Sequence, residues 1–232
     1  MSIIIKNQDC INGMKEIKKD SIDLIVTSPP YNIGIEYNTY KDQKEWSEYE
    51  TFIKKVFDSA YRILKDKSIF AINVGNQRNS GLPHYFYFWL KESNFKIIKE
   101  IFWYKGLYYI QGETIFVCSK SGEFNNYYNK NDGFFSNNQF ATVWEMRYKD
   151  NQSKKKLNHN AFFVEQLPLN FINISTKEND FVLDPFSGSG TTALVCKKTG
   201  RSFIGFEIDS KYCIFSNRRI EKQPVRLDRW IK

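Results

Sequence analysis

Residues 181–207 constrain the fold more than any other stretch. Phe181-Val182-Leu183 is a short apolar run that reads as a strand. It enters the turn Asp184-Pro185-Phe186-Ser187-Gly188-Ser189-Gly190-Thr191-Thr192. Residues 193–198 then begin a helix that Gly200 closes, and residues 202–206 form another strand with Glu207 at its tip. Strand, glycine turn, helix, strand and terminal acid is the arrangement by which α/β folds hold nucleosides. Gly188 and Gly190 permit a tight turn and close approach of a ligand to the backbone. Glu207 can accept two hydrogen bonds from ribose hydroxyls. Gly188, Gly190 and Ala193 also satisfy the general dinucleotide-binding spacing. A nicotinamide cofactor and a purely structural turn therefore both stay open on this stretch alone.

A second stretch near the start of the chain is as pointed. Ile22-Asp23-Leu24-Ile25-Val26 runs into Thr27-Ser28-Pro29-Pro30-Tyr31-Asn32. Two consecutive prolines fix φ twice and remove two backbone donors, so the strand must stop there. What is left is a hydroxyl, carbonyls without neighbouring donors and a flat ring on a rigid support. Such a turn suits a flat ligand that carries hydrogen-bond donors, although a proline-terminated buried strand would look the same. Residues 2–6 and 11–18 precede it as a strand and a short helix, giving a βαβ unit with parallel strands. Functional groups in such sheets gather at the carboxyl ends of strands. Asp9 and Ser28 are thus expected on one rim, with Asp9 also placed to cap the helix.

The remaining chain reads as one domain over residues 1–232. Residues 34–45 are polar with aromatics, either a lid after the proline turn or a solvated loop. Residues 46–65 carry a helical apolar stripe of core residues. Residues 68–74 read as a buried strand and 85–92 as a helix. Residues 95–104 and 114–119 read as antiparallel neighbouring strands. Residues 124–157 change character, interleaving Asn, Tyr and Phe and closing on Lys154-Lys155-Lys156. That mixture suits a surface that touches nucleic acid. A net charge of +8 agrees with a polyanionic partner, and equally with plain solubility. The four cysteines form no CxxC and only two histidines exist, so no metal site is readable. Scattered cysteines without a secretory leader point to a reducing, cytoplasmic setting. No apolar run approaches membrane-spanning length, so no membrane partner is expected.

Taken together, the two turns resemble the paired motifs of amino DNA methyltransferases. Residues 184–192 look like that family's S-adenosylmethionine turn, and residues 27–31 like its catalytic [Ser/Asp/Asn]-Pro-Pro-[Tyr/Phe] motif. The catalytic motif comes first and the cofactor motif last, an order similar to the circularly permuted β class. Trp103, Lys105 and Glu113 resemble residues around the family's sixth and seventh strands. His159, Ala161, Phe163, Glu165, Leu167 and Pro168 resemble its pre-cofactor helix, with Asn160 and Val164 where prolines are common. Asp9 and Cys10 match a position near the cofactor adenine.

The resemblance implies an α/β, Rossmann-like S-adenosylmethionine-dependent methyltransferase fold, circularly permuted, with a mixed seven-stranded sheet flanked by helices. It implies S-adenosylmethionine as cofactor, with Asp9, Cys10, Thr27, His159, Ala161, Leu167, residues 184–192 and Glu207 around it. Ser28, Pro29, Pro30 and Tyr31 are the implied catalytic group. Ser28 Oγ and the Pro29 carbonyl would accept hydrogen bonds from an exocyclic amino group, and Tyr31 would stack on a base flipped out of double-stranded DNA. Serine at the first motif position is typical of N4-cytosine enzymes and aspartate of N6-adenine enzymes, so N4-cytosine is expected and N6-adenine is the alternative. Lys105, Lys154, Lys155 and Lys156 are expected to meet DNA, with residues 124–157 as the target-recognition insert. A homodimer and a cognate restriction endonuclease are further partners in keeping with the family. A non-catalytic nucleic-acid-binding module and a dehydrogenase are the rival readings, and each leaves at least one of the two turns unexplained.

Overall fold

The computed structural model describes residues 1–34, 39, 42–75, 80–106, 112–128, 132–147 and 164–223. Ten strands and six helices follow one another among them. They run β1 (Ile3–Asn7), α1 (Cys10–Lys15), β2 (Ile22–Thr27), α2 (Trp46–Ile63), β3 (Leu64–Gly75), α3 (Leu82–Glu92), β4 (Lys96–Tyr104) and β5 (Glu113–Ser119). Then come β6 (Phe135–Ser136), β7 (Gln139–Phe140), β8 (Val143–Glu145), α4 (Gln166–Ser175), β9 (Phe181–Asp184), α5 (Thr191–Thr199), β10 (Ser202–Glu207) and α6 (Ser210–Glu221).

Eight strands form the main sheet in the order β1-β10-β9-β2-β3-β5-β4-β8. The five from β1 to β3 are parallel, and β5 runs antiparallel between β3 and β4. The sheet is therefore mixed, as the sequence implies, but has one strand more than seven. The addition is β8, three residues from the insert that pair with Phe102, Trp103 and Tyr104 at the open edge of β4. β1 and β2 are parallel but not adjacent, because β10 and β9 sit between them. A segment late in the sequence thus fills the middle of a sheet begun early in it, the topology that a permuted chain order requires.

Both sheet faces are covered, and the strand residues alternate between two cores. Leu24 and Val26 of β2 and Ile69 and Ala71 of β3 face a core completed by α4, α5 and α6. Ile25 of β2 and Phe70 and Ile72 of β3 face the opposite core, completed by α1, α2 and α3. Helix α2 belongs there because Tyr49, Ile53, Val56, Phe57, Ala60 and Ile63 fall on one face at helical spacing, all buried.

The described part of the insert, residues 124–128 and 132–147, carries more regular structure than its composition predicts. Asn137 and Asn138 both take positive φ, which lets a two-residue turn join β6 to β7. Phe135, Phe140 and Trp144 are buried in the core with Phe171 of α4. These rings pack on one another and on Phe171, so they are core and not open stacking platforms for bases.

Candidate functional site

The sheet changes winding direction between β9 and β2. From β9 the chain moves through α5 to β10, and from β2 it moves the other way through α2 to β3. Ligands of open α/β sheets bind outside the carboxyl ends of strands at such a point. Both turns singled out in the sequence lie there, since β9 ends at Asp184 and β2 at Thr27.

The two turns are bonded to each other. Thr27 Oγ1 donates to Asp184 Oδ1 at 2.6 Å, and Thr192 Oγ1 donates to Asp184 Oδ2 at 2.9 Å. The Phe186 amide adds a third bond to Oδ1 at 3.1 Å. Burial pushes the Asp184 carboxyl up to about 6, against the pull of those three donors. Asp184 is thus the joint between the turns and is enclosed by its partners.

After β9, Gly188 and Gly190 have φ of 48° and 75°. The Gly188 amide donates to Glu207 Oε2 at 2.8 Å, and the Asp209 amide donates to Glu207 Oε1 at 2.8 Å. Each Glu207 oxygen keeps a further lone pair. Burial raises the Glu207 carboxyl above its ordinary value. Ser187 Oγ is buried without a hydrogen-bond partner among the described residues. A tight glycine turn, an acid with spare acceptor capacity and an orphan hydroxyl fit a polar nucleoside-bearing ligand.

After β2, Ser28 is half-buried and its Oγ lies 2.7 Å from the Tyr31 hydroxyl. Helix α2 braces the proline turn, with Tyr49 Oη donating to the Pro30 carbonyl at 2.7 Å. Asp42 clamps the chain after Tyr31, accepting from the Asn32 amide at 2.8 Å and the Ile33 amide at 3.2 Å.

A family model described as DNA methylase matches residues 22–218. The chain belongs to the N6/N4 DNA methylase family. It is 30% identical over 241 residues to Type II methyltransferase M.HpaI of Haemophilus parainfluenzae, covering 93% of this chain and 73% of that protein. It is also 30% identical over 247 residues to Type II methyltransferase M2.DpnII of Streptococcus pneumoniae, covering 95% and 90%. The fold is similar to that of the PvuII DNA methyltransferase (cytosine-N4-specific), with a TM-score of 0.74 at 21% identity over 97% of this chain and 89% of that one. It is also similar to the M1.HpyAVI–SAM complex, with a TM-score of 0.67 at 22% identity over 93% and 98%.

The turns at 27–31 and 184–192 converge in space, together with Glu207. Other expected site residues stand differently. Asp9 caps α1, accepting from the Asn12 amide at 2.9 Å. The Cys10 thiol is pushed up to about 12, by burial first and the Asp9 charge second, so it is no nucleophile. Leu167 is fully buried in the core rather than placed in an open pocket, because α4 turns its apolar face to the sheet. Lys105 needs correction: its ammonium pairs with Glu113, and its side chain is only 11% exposed. A cation held this way is not a free contact for a DNA phosphate. His159, Ala161, Lys154, Lys155 and Lys156 lie outside the described residues.

Three residues of this DNA methylase site were not singled out from sequence. Asn73 is 1% exposed near the end of β3, where one polar residue interrupts an apolar strand. Polarity at a strand's carboxyl end is the signal that finds it. Ile208 is 50% exposed directly after Glu207, an apolar surface beside the acid. Arg219 of α6 donates to the Ser189 carbonyl at 2.9 Å and steadies the glycine turn. Nothing local in the sequence marks Arg219, since its role depends on helix packing.

Proposed function

We propose that this DNA methylase transfers a methyl group from S-adenosylmethionine to the exocyclic N4 amino group of cytosine in double-stranded DNA. The observation that carries the reading is a hydroxyl, Ser28, at the rim of β2, tied through Thr27 and Asp184 to the glycine turn. The name of the PvuII enzyme, cytosine-N4-specific, supports the choice of base.

The residues divide the work. The glycine turn at 185–190 lets the cofactor approach closely, Glu207 accepts from its ribose hydroxyls, and Ile208 gives apolar surface to its base. The bound cofactor supplies a methyl carbon on a sulfonium, which needs no activation by the protein. Ser28 Oγ and the Pro29 carbonyl accept the two amino hydrogens and so localise the nitrogen lone pair, otherwise delocalised into the ring. Tyr31, 7% exposed in the chain without DNA, stacks on the extruded base through the ring face at the rim, at about 1–3 kcal/mol, against a flipping cost of a few kcal/mol. The site works by placing two reactants and stabilising the charge that develops. No covalent enzyme intermediate is required, in keeping with cysteines whose thiols burial holds high. A homodimer would supply further DNA-facing surface, a matter for light scattering.

The test is methyl transfer from labelled S-adenosylmethionine to duplex DNA, with cofactor binding followed by calorimetry. Ser28→Ala should lose transfer and keep cofactor binding. A wild-type rate in Ser28→Ala contradicts the assignment.

A further inference from the structure

A buried polar chain lies behind Ser28 that the roles above leave unused. Ser28 Oγ is 2.7 Å from Tyr31 Oη, which lies 3.4 Å from Glu113 Oε2. Asn73 Nδ2 donates to Tyr31 Oη at 3.2 Å and also to Glu113 Oε2. Lys105 pairs with the other Glu113 oxygen. Asn73 and Glu113 are 1% and 7% exposed. They come from the end of β3 and the start of β5, at positions that pair across the sheet two residues apart.

A carboxylate only accepts hydrogen bonds, whereas a hydroxyl both donates and accepts. A serine that must accept amino hydrogens therefore has to point its own proton elsewhere. The chain provides that direction. Tyr31 Oη has two acceptors at 3.4 Å, Glu113 Oε2 and the Asn73 main-chain carbonyl, of which only Glu113 carries a charge, and Asn73 Nδ2 donates to Tyr31 Oη. At 2.7 Å, Tyr31 Oη is close enough to accept the Ser28 proton. The Asn73 carbonyl, 3.2 Å from Ser28 Oγ, is a second acceptor in the same network.

We propose that Glu113, acting through the Tyr31 hydroxyl, is a positioning residue that fixes Ser28 as an acceptor toward the target amino group. Asn73 and Lys105 hold Glu113 in place. Ser28 then presents lone pairs alone, as an aspartate at that position would. The proposal rests on the methyl-transfer reading above and adds a role for Glu113, Asn73 and Lys105.

A double-mutant cycle tests it. Single-turnover transfer at saturating S-adenosylmethionine is measured for wild type, Tyr31→Phe, Glu113→Gln and the double variant, with cofactor affinity by calorimetry. Each single variant should slow transfer by about tenfold or more and leave cofactor affinity unchanged. The double should be no slower than the slower single, because both changes cut one chain. Glu113→Asp should recover part of the rate. A wild-type rate in Tyr31→Phe, or losses that multiply in the double, overturns the proposal. If Glu113→Gln fails to fold, Tyr31→Phe decides alone: a slow rate with intact cofactor binding supports it, and a wild-type rate overturns it. Failure of the wild-type protein to methylate any DNA would instead remove the methyl-transfer reading on which the proposal stands.

Discussion

Thr27 Oγ1 donates a 2.6 Å hydrogen bond to Asp184 Oδ1 across 157 residues of sequence, joining the last residue of β2 to the last residue of β9. Thr27→Val removes the donor at nearly constant volume and leaves a buried carboxylate short of one partner. Loss of such a partner costs roughly 1–3 kcal/mol of unfolding free energy. Thr27→Ser keeps the hydroxyl and should stay near wild type. Urea unfolding curves for the three proteins check this, and equal stability of wild type and Thr27→Val would contradict it.

Asp184 also sets a pH dependence. Its carboxyl is raised by burial from an ordinary 3.8 to about 6. Between those values the folded chain holds a proton that the unfolded chain has released. The resulting stability is fully present below 3.8 and is lost as pH rises through 6. Glu207, also raised by burial, acts in the same direction. Asp184→Asn cannot titrate, so wild type should lose more stability than the variant between pH 5 and pH 8, by about 1 kcal/mol. Denaturant titrations at the two pH values measure the difference. Parallel losses in both proteins would contradict it.

Gly190 sits where the packing leaves no room for a side chain. Its φ is +75°, and an added Cβ would stand 2.8 Å from Ser216 Cβ and 3.3 Å from Ile5 Cδ1. Gly190→Ala should lower the melting temperature, since left-handed strain alone costs roughly 1–2 kcal/mol. Adding Ser216→Gly should restore part of the loss, because it relieves the contact and not the strain. Thermal melts of the single and double variants decide, and an unchanged melting temperature in Gly190→Ala would contradict the packing role.

Trp144 tests whether the insert is core or contact surface. Its indole is fully buried, and its Nε1 donates to the Phe134 carbonyl at 2.9 Å. Trp144→Ala should destabilise the fold by about 3–5 kcal/mol, which denaturant unfolding would read. A variant of wild-type stability would place Trp144 outside the core.

The sheet and both turns were legible because their signals are local. A strand that runs into Pro29-Pro30, and one that runs into Gly188 and Gly190, declare their ends in consecutive residues. Helix α2 was legible because its apolar stripe repeats at helical spacing. The insert was not, because the polar residues around Phe135, Phe140 and Trp144 hide a core contribution that depends on docking against Phe171. Lys105 misled for a similar reason: its charge was visible in sequence, but its partner Glu113 stands at the start of the next strand. The chain of Asn73, Tyr31 and Glu113 belongs to three segments and exists only once the sheet is assembled.

The central claim, N4 methylation of cytosine, is tested most directly by nucleoside mass spectrometry of unmethylated DNA treated with the purified protein and S-adenosylmethionine. The account predicts N4-methylcytosine that disappears with Ser28→Ala. N6-methyladenine as the product, with no N4-methylcytosine, would contradict it.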